Sequence, residues 1–319
     1  MLRVLLNATG IGLLLLLVIF LGYRYRQVEP KEGWAWMGWT GLVIILGSVL
    51  LLILGVKMIG IYLTPLIWTG YILLTDGLTF SLRGSSLLHE RRKDLVTLAL
   101  LSLGWWLLFE LYNLHLQNWV YVGLPENPWA RYVGYVWSFA TIFPAILETT
   151  SLFQALGVFR NRLHRRWKLS DATLKWMASM GFIMLIIPWL VPTGVAQYLF
   201  GLVWLGFIFA LEPLNYKWNR PSLLREMERG QWQKLWNLLL AGILCGLLWE
   251  FWNYWARAGW IYTFPIAQNY KIFQMPLPGY LGFPPFAVEC YVLTQFSYGV
   301  LAKIGGVGER SPLIEDFGG

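Results

Sequence analysis

The chain has 319 residues, of which 57% are hydrophobic and 13% charged, and carries a net charge of +8. Several apolar runs approach the ~20 residues a helix needs to cross a bilayer, which excludes a water-soluble enzyme and predicts an all-α, polytopic integral membrane protein. Membrane topology and anionic lipid account for the positive charge, so membrane lipids are expected as partners and nucleic acid is not.

Nine transmembrane helices are expected, near residues 8–23, 36–56, 58–80, 94–114, 132–158, 174–192, 196–214, 234–254 and 281–302. The first has Arg3 before it, Arg24 and Arg26 after it and no small-residue cleavage site, so residues 1–33 read as an uncleaved anchor helix and its inner loop. An odd number of spans puts the termini on opposite sides. With the N-terminus outside, 20 of the 25 Lys and Arg fall in inner segments. They include Arg83, Arg91, Arg92 and Lys93, then Arg160, Arg162, Arg165, Arg166 and Lys168, then Lys217, Arg220, Arg225, Arg229 and Lys234. The positive-inside rule then predicts a bacterial-type cytoplasmic (inner) membrane, with the N-terminus outside and the C-terminus inside. Many of the 20 Trp, 16 Tyr and 18 Phe should sit at headgroup level, and the rest should line helix interfaces or an apolar cavity.

An internal repeat is visible by eye. Residues 62–88 align without gaps to 198–224, matching Tyr62 to Tyr198, Trp68 to Trp204, Gly70 to Gly206 and Asp76 to Glu212. Beyond the basic loops, Glu110 and Asn113 meet Glu250 and Asn253, and Trp119-Val-Tyr121 meets Trp260-Ile-Tyr262. Pro144 and Glu148 then meet Pro285 and Glu289, and Gln154 meets Gln295. Each copy takes four helices, an even number, so both halves insert the same way up. The expected organisation is two parallel four-helix repeats, 34–168 and 169–303, after the anchor, with a short tail at 304–319.

The six matched acids are the only Asp or Glu inside apolar segments. A carboxylate costs roughly 2.5–3.5 kcal/mol or more at a bilayer centre, so such groups normally face a protein interior or a wet cavity. Three readings fit them. They can perform acid–base chemistry on an apolar substrate, with aromatic faces stabilising a developing cation. They can line a transport path for a small solute, ion or lipid. They can act as polar glue between helices, in an accessory scaffold of a membrane complex. For the first reading the candidate catalytic residues are Glu250, Glu289, Glu110 and Glu148. The candidate substrate-binding residues are Asn113, Asn253, Trp119, Tyr121, Trp260, Tyr262, Gln154 and Gln295. Topology puts Asp76 and Glu212 near the inner face, where they can brace helix ends.

No metal or cofactor is expected. His89, His115 and His164 have no repeat partners, and no tight acid cluster offers hard oxygen ligands. Cys245 and Cys290 show no metal or redox spacing and read as small buried side chains. The stretch from Trp260 to Pro285 is too apolar for an ordinary solvated loop, so it either covers a cavity or dips into the membrane.

Residues 249–262, WEFWNYWARAGWIY, resemble the acidic-helix motif of the membrane-bound lycopene cyclase domain: a Trp and an acid, then Gly-Trp-x-aromatic about ten residues on. Residues 280–289, YLGFPPFAVE, are similar to that family's Pro and acid opening the next helix, although the family's doubled acid is here a single Glu. The resemblance covers about a quarter of the chain. It implies a multi-helix enzyme or hydratase acting on a carotenoid-like polyisoprenoid. Glu250, Trp260, Tyr262 and Glu289 would then be the matching residues, with Glu110, Trp119, Tyr121 and Glu148 as counterparts.

Overall fold

Helix follows the apolar runs along the whole chain. The computed structural model describes residues 2–160 and 165–305. It gives α1 (Leu2–Arg26), α2 (Trp36–Ile53), α3 (Lys57–Ile61), α4 (Leu63–Arg83), α5 (Leu87–Glu90), α6 (Arg92–Leu116) and α7 (Pro128–Ala140). It continues with α8 (Ile142–Ala155), α9 (Asp171–Leu190), α10 (Thr193–Ala196), α11 (Phe200–Lys217), α12 (Leu223–Glu228), α13 (Gln233–Trp255) and α14 (Phe283–Lys303). Arg162, His164 and positions 306–319 of the expected tail lie outside the described residues.

Among the described residues, six helices are long and apolar enough to cross a membrane: α1, α2, α6, the α7–α8 stretch, α9 and α13. The chain is therefore mostly helical and of membrane type. The other three long helices, α4, α11 and α14, carry Asp76, Glu212 and Glu289 among buried Thr, Ser, Asn and Gln. They pack on other helices, so protein neighbours rather than lipid set their composition.

Prolines and connections shape the details. The helix expected over 132–158 breaks at Thr141. Pro144 lacks an N–H and its ring crowds the carbonyl four residues back, so α8 starts afresh there. In α14 the Pro284-Pro285 pair occupies the first turn, where a missing N–H costs nothing. Within the all-α architecture the connections also form two small ribbons. One pairs β1 (Trp119–Val122) with β2 (Gly259–Tyr262), and the other pairs β3 (Lys271–Ile272) with β4 (Met275–Pro276).

The first ribbon has an informative register. Its strands run antiparallel, with Trp119 opposite Tyr262, Val120 opposite Ile261 and Tyr121 opposite Trp260. Exchanging each residue for its sequence match returns the same set of pairs, so the ribbon has a local twofold through Val120 and Ile261.

Close helix pairs are equally matched. α2 packs along α4, and α9 along α11. A Cβ at Gly41 would overlap the Gly70 carbonyl and the Leu74 amide, while one at Gly181 would overlap the Ala210 amide. Leu74 and Ala210 are matched positions. This identifies a correspondence the alignment missed, Trp36-Met37 with Gly41 against Trp176-Met177 with Gly181. α1 lies outside these pairs, against α13 and β3. The Phe273 amide donates to Asn7 Oδ1 at 2.8 Å, and Arg24 Nη2 donates to the carbonyls of Leu156 and Gly157 at 2.8 and 3.1 Å. Cys245 and Cys290 are buried free thiols.

Asp76 and Glu212 each close the first turn of the short helix that follows. Asp76 accepts from Ser86 Oγ at 2.8 Å and from the Leu88 amide at 2.9 Å. Glu212 accepts from Ser222 Oγ at 2.7 Å and from the Leu224 amide at 3.0 Å. Asp76→Ala strands two buried donors and is expected to cost about 2–4 kcal/mol, read as a lowered unfolding temperature in detergent. Asp76→Asn keeps an acceptor oxygen and should lose less.

Candidate functional site

Two acid clusters sit beneath the β1–β2 ribbon, one on α6 and one on α13. Glu110 Oε1 accepts from Tyr121 Oη at 2.5 Å, Trp106 Nε1 at 2.9 Å and Trp119 Nε1 at 3.2 Å. Glu250 Oε1 accepts from Tyr262 Oη at 2.8 Å, while Trp260 Nε1 lies 3.4 Å away and donates more closely to Tyr262 Oη, at 2.9 Å. The counterpart of Trp106, four residues before its Glu, is Gly246, and the Phe283 ring occupies that place. Glu250 therefore has one firm donor where Glu110 has three. Its Oε2 makes no well-formed hydrogen bond among the described residues, although the Gln274 amide lies near the carboxyl group, and the side chain is fully buried.

The tyrosines are dependable donors. Burial, followed by the neighbouring Glu110 carboxylate, pushes the Tyr121 phenol well above its ordinary value. Burial and then Glu250 do the same to Tyr262. Both phenols stay protonated through the neutral range.

Between the ribbon and the helices lies a cavity of about 150 Å³, open at its mouth. Trp106, Phe109, Trp204, Trp249, Phe283 and Phe286 give it aromatic walls, and Trp119, Tyr121, Trp260, Tyr262 and Glu250 border it at the ribbon. Glu110 does not border it, although its side chain is partly exposed. The apolar stretch 260–285 forms β2, the β3–β4 hairpin and a 3-10 turn, Leu277–Gly282, and brings Met275 and Phe283 to the cavity. Gly282 is required there, since a Cβ would overlap the Trp204 ring.

The other expected residues fall elsewhere. Glu148 is buried against Asp76 and Arg83, away from the cavity. Glu289 is fully buried, with neither oxygen hydrogen-bonded among the described residues, and does not border the cavity either. Gln154 and Gln295 stand six residues beyond these acids, about 9 Å along the helix and rotated well off their face. They cannot act with the ribbon clusters. Gln295 is buried without a partner among the described residues.

Asn113 and Asn253, expected among the substrate-binding groups, hold backbone instead. Asn113 Nδ2 donates to the Trp119 carbonyl at 2.9 Å, and its Oδ1 accepts the Asn118 and Trp119 amides at 2.8 and 3.2 Å. Asn253 Nδ2 donates to the Trp260 carbonyl at 2.8 Å and its Oδ1 accepts the Trp260 amide at 2.9 Å. Each amide is saturated by the strand it locks to its helix. Asn253→Ala is expected to cost about 1–3 kcal/mol and to raise hydrogen exchange in β2, measured by mass spectrometry.

The sequence reading missed Trp106, Trp249 and Phe286 as cavity walls, and treated Arg131 only as a topology charge. The Trp preceding Glu250 was the one available signal. No known protein family, curated protein or solved structure matches the chain.

Proposed function

We propose that the chain is an intramembrane enzyme that performs acid–base chemistry on an unsaturated apolar lipid, of polyisoprenoid or carotenoid-like class, with Glu250 as the reacting acid. The carrying observation is that one acid, Glu250, borders an aromatic cavity, with Oε1 held by Tyr262 and Oε2 without a well-formed hydrogen bond among the described residues, the Gln274 amide and Lys271 lying near the carboxyl group. A carboxylic acid there can deliver its proton to a carbon–carbon double bond. The resulting cation would lie among ring faces that stabilise positive charge. Return of a proton from a neighbouring carbon to the same carboxylate restores the acid, making isomerisation or cyclisation redox-neutral overall. Tyr262 holds Oε1 and thereby orients the other oxygen. The lycopene cyclase-like residues Glu250, Trp260 and Tyr262 are consistent with this reading. Glu289 is not, because it stands away from the cavity.

We further infer nine spans arranged as two same-way-up four-helix repeats behind α1, with the ribbon end facing outside and the basic end inside. The ribbon's twofold register, the matched glycine contacts and the matched brackets around Asp76 and Glu212 support this arrangement.

The test is isotopic. Purified protein incubated with an unsaturated isoprenoid in D2O is expected to place deuterium on carbon in product or recovered substrate. Mass spectrometry of lipids co-purifying with the protein would supply the first substrate to try. A cavity lipid that is bound but never labelled would sink the enzymatic reading in favour of carriage.

A further inference from the structure

Besides Glu250, one charged side chain borders the cavity: Arg131, in the first turn of α7. Its Nε and Nη2 donate to the Pro125 carbonyl at 3.3 and 3.1 Å, which fixes the guanidinium plane. It makes no ion pair among the described residues, and Nη1 has no protein acceptor there. Arg131 is half-buried, while the chain around it is open. On α7, Trp129 is 78% and Tyr132 57% exposed, an aromatic pair suited to headgroup depth. The rim beside Arg131 is closely fitted: Tyr62 Oη donates to the Ala130 carbonyl at 2.9 Å, and Gly134 faces the Tyr62 ring. The cavity thus has a fixed, unpaired cation among its rim residues, aromatic rings along its length and an acid at its wall.

We propose that the cavity takes single-chain amphiphiles whose anionic head group, phosphate or carboxylate, is held at Arg131 while the unsaturated chain runs inward to Glu250. This rests on the reading of the cavity as the active site. A guanidinium with one edge already fixed loses little freedom on gripping an oxyanion, and such charge-assisted bonds are roughly twice as strong as neutral ones. Holding the head at one point also sets which double bond reaches Glu250, so Arg131 would be a positioning residue for the reaction.

Binding of farnesyl phosphate, farnesoic acid, farnesol and inorganic phosphate would be compared by native mass spectrometry of the protein in phosphatidylcholine nanodiscs. The wild type is expected to bind one or both anionic amphiphiles roughly tenfold more tightly than farnesol. Arg131→Gln should bring them down to the farnesol level while farnesol binding is unchanged, which also reports an intact cavity. Equal affinity for farnesol and both anions in the wild type, or a preference that survives Arg131→Gln, would overturn the head-group proposal and leave the cavity reading standing. Inorganic phosphate bound as tightly as farnesyl phosphate would overturn the amphiphile. Failure of every farnesyl compound to bind would instead remove the cavity reading itself.

Discussion

Glu250→Gln is expected to reduce turnover of the lipid substrate by about 10²–10⁴-fold, the range typical of a lost general acid, with little change in unfolding temperature. Gln is nearly isosteric and keeps the carbonyl oxygen that accepts from Tyr262, so the local geometry should survive while the transferable proton is lost. Glu110→Ala, which strands the three donors that Gln would still accept, should give the opposite pattern. Glu110 Oε1 gathers three donors and the residue does not border the cavity, so the expected result is near-normal turnover with stability lowered by about 1–3 kcal/mol. Turnover per folded molecule and thermal unfolding together separate the two effects. If both variants were equally inactive yet equally folded, a single reacting acid would be the wrong description.

Gly41→Leu and Gly181→Leu are each expected to abolish recovery of folded protein, a cost of about 3 kcal/mol or more. At both positions an added Cβ would run into the backbone of the neighbouring helix, and a backbone within a packed pair cannot move aside as a side chain could. Membrane helices associate through such close approaches rather than through a hydrophobic driving force. Gly12 and Gly47 provide the control, since an added Cβ there meets nothing within 4 Å and the same substitution should be tolerated. Size-exclusion profiles and unfolding temperatures of the four variants would read the contrast.

Much of the helical layout was legible because apolar run length reports directly on helices that face lipid. α4, α11 and α14 were expected as spans but are not among the six helices apolar enough to cross a membrane, since a helix packed on protein can carry Asp76, Glu212 or Glu289 and lose its lipid-like composition. The paired acids were legible as residues, but their separate roles were not. Asp76 and Glu212 bracket short helices, Glu110 is saturated by ring and phenol donors, and Glu250 alone borders the cavity. The bracketing and saturating donors lie close in sequence to their acids, but which acid borders the cavity depends on neighbours far along the chain. Phe283 filling the place opposite Gly246 is one such case, and no local spacing announces it. Asn113 and Asn253 misled for a related reason: an i,i+3 polar pair shows a shared face but not whether backbone has already claimed the amide.

The twofold register of β1 and β2 bears on how such a chain can change over time. A strand paired antiparallel with its own counterpart about a central residue is what two identical subunits would build as a homodimer. In a homodimer every substitution strikes both sides at once, so an acid bordering a cavity on one side alone could not be arranged. Once the two copies are joined in one polypeptide, that coupling disappears. Trp106 can be retained on one side while Gly246 stands on the other, and the two carboxylates become free to diverge, one holding the ribbon and one facing the cavity.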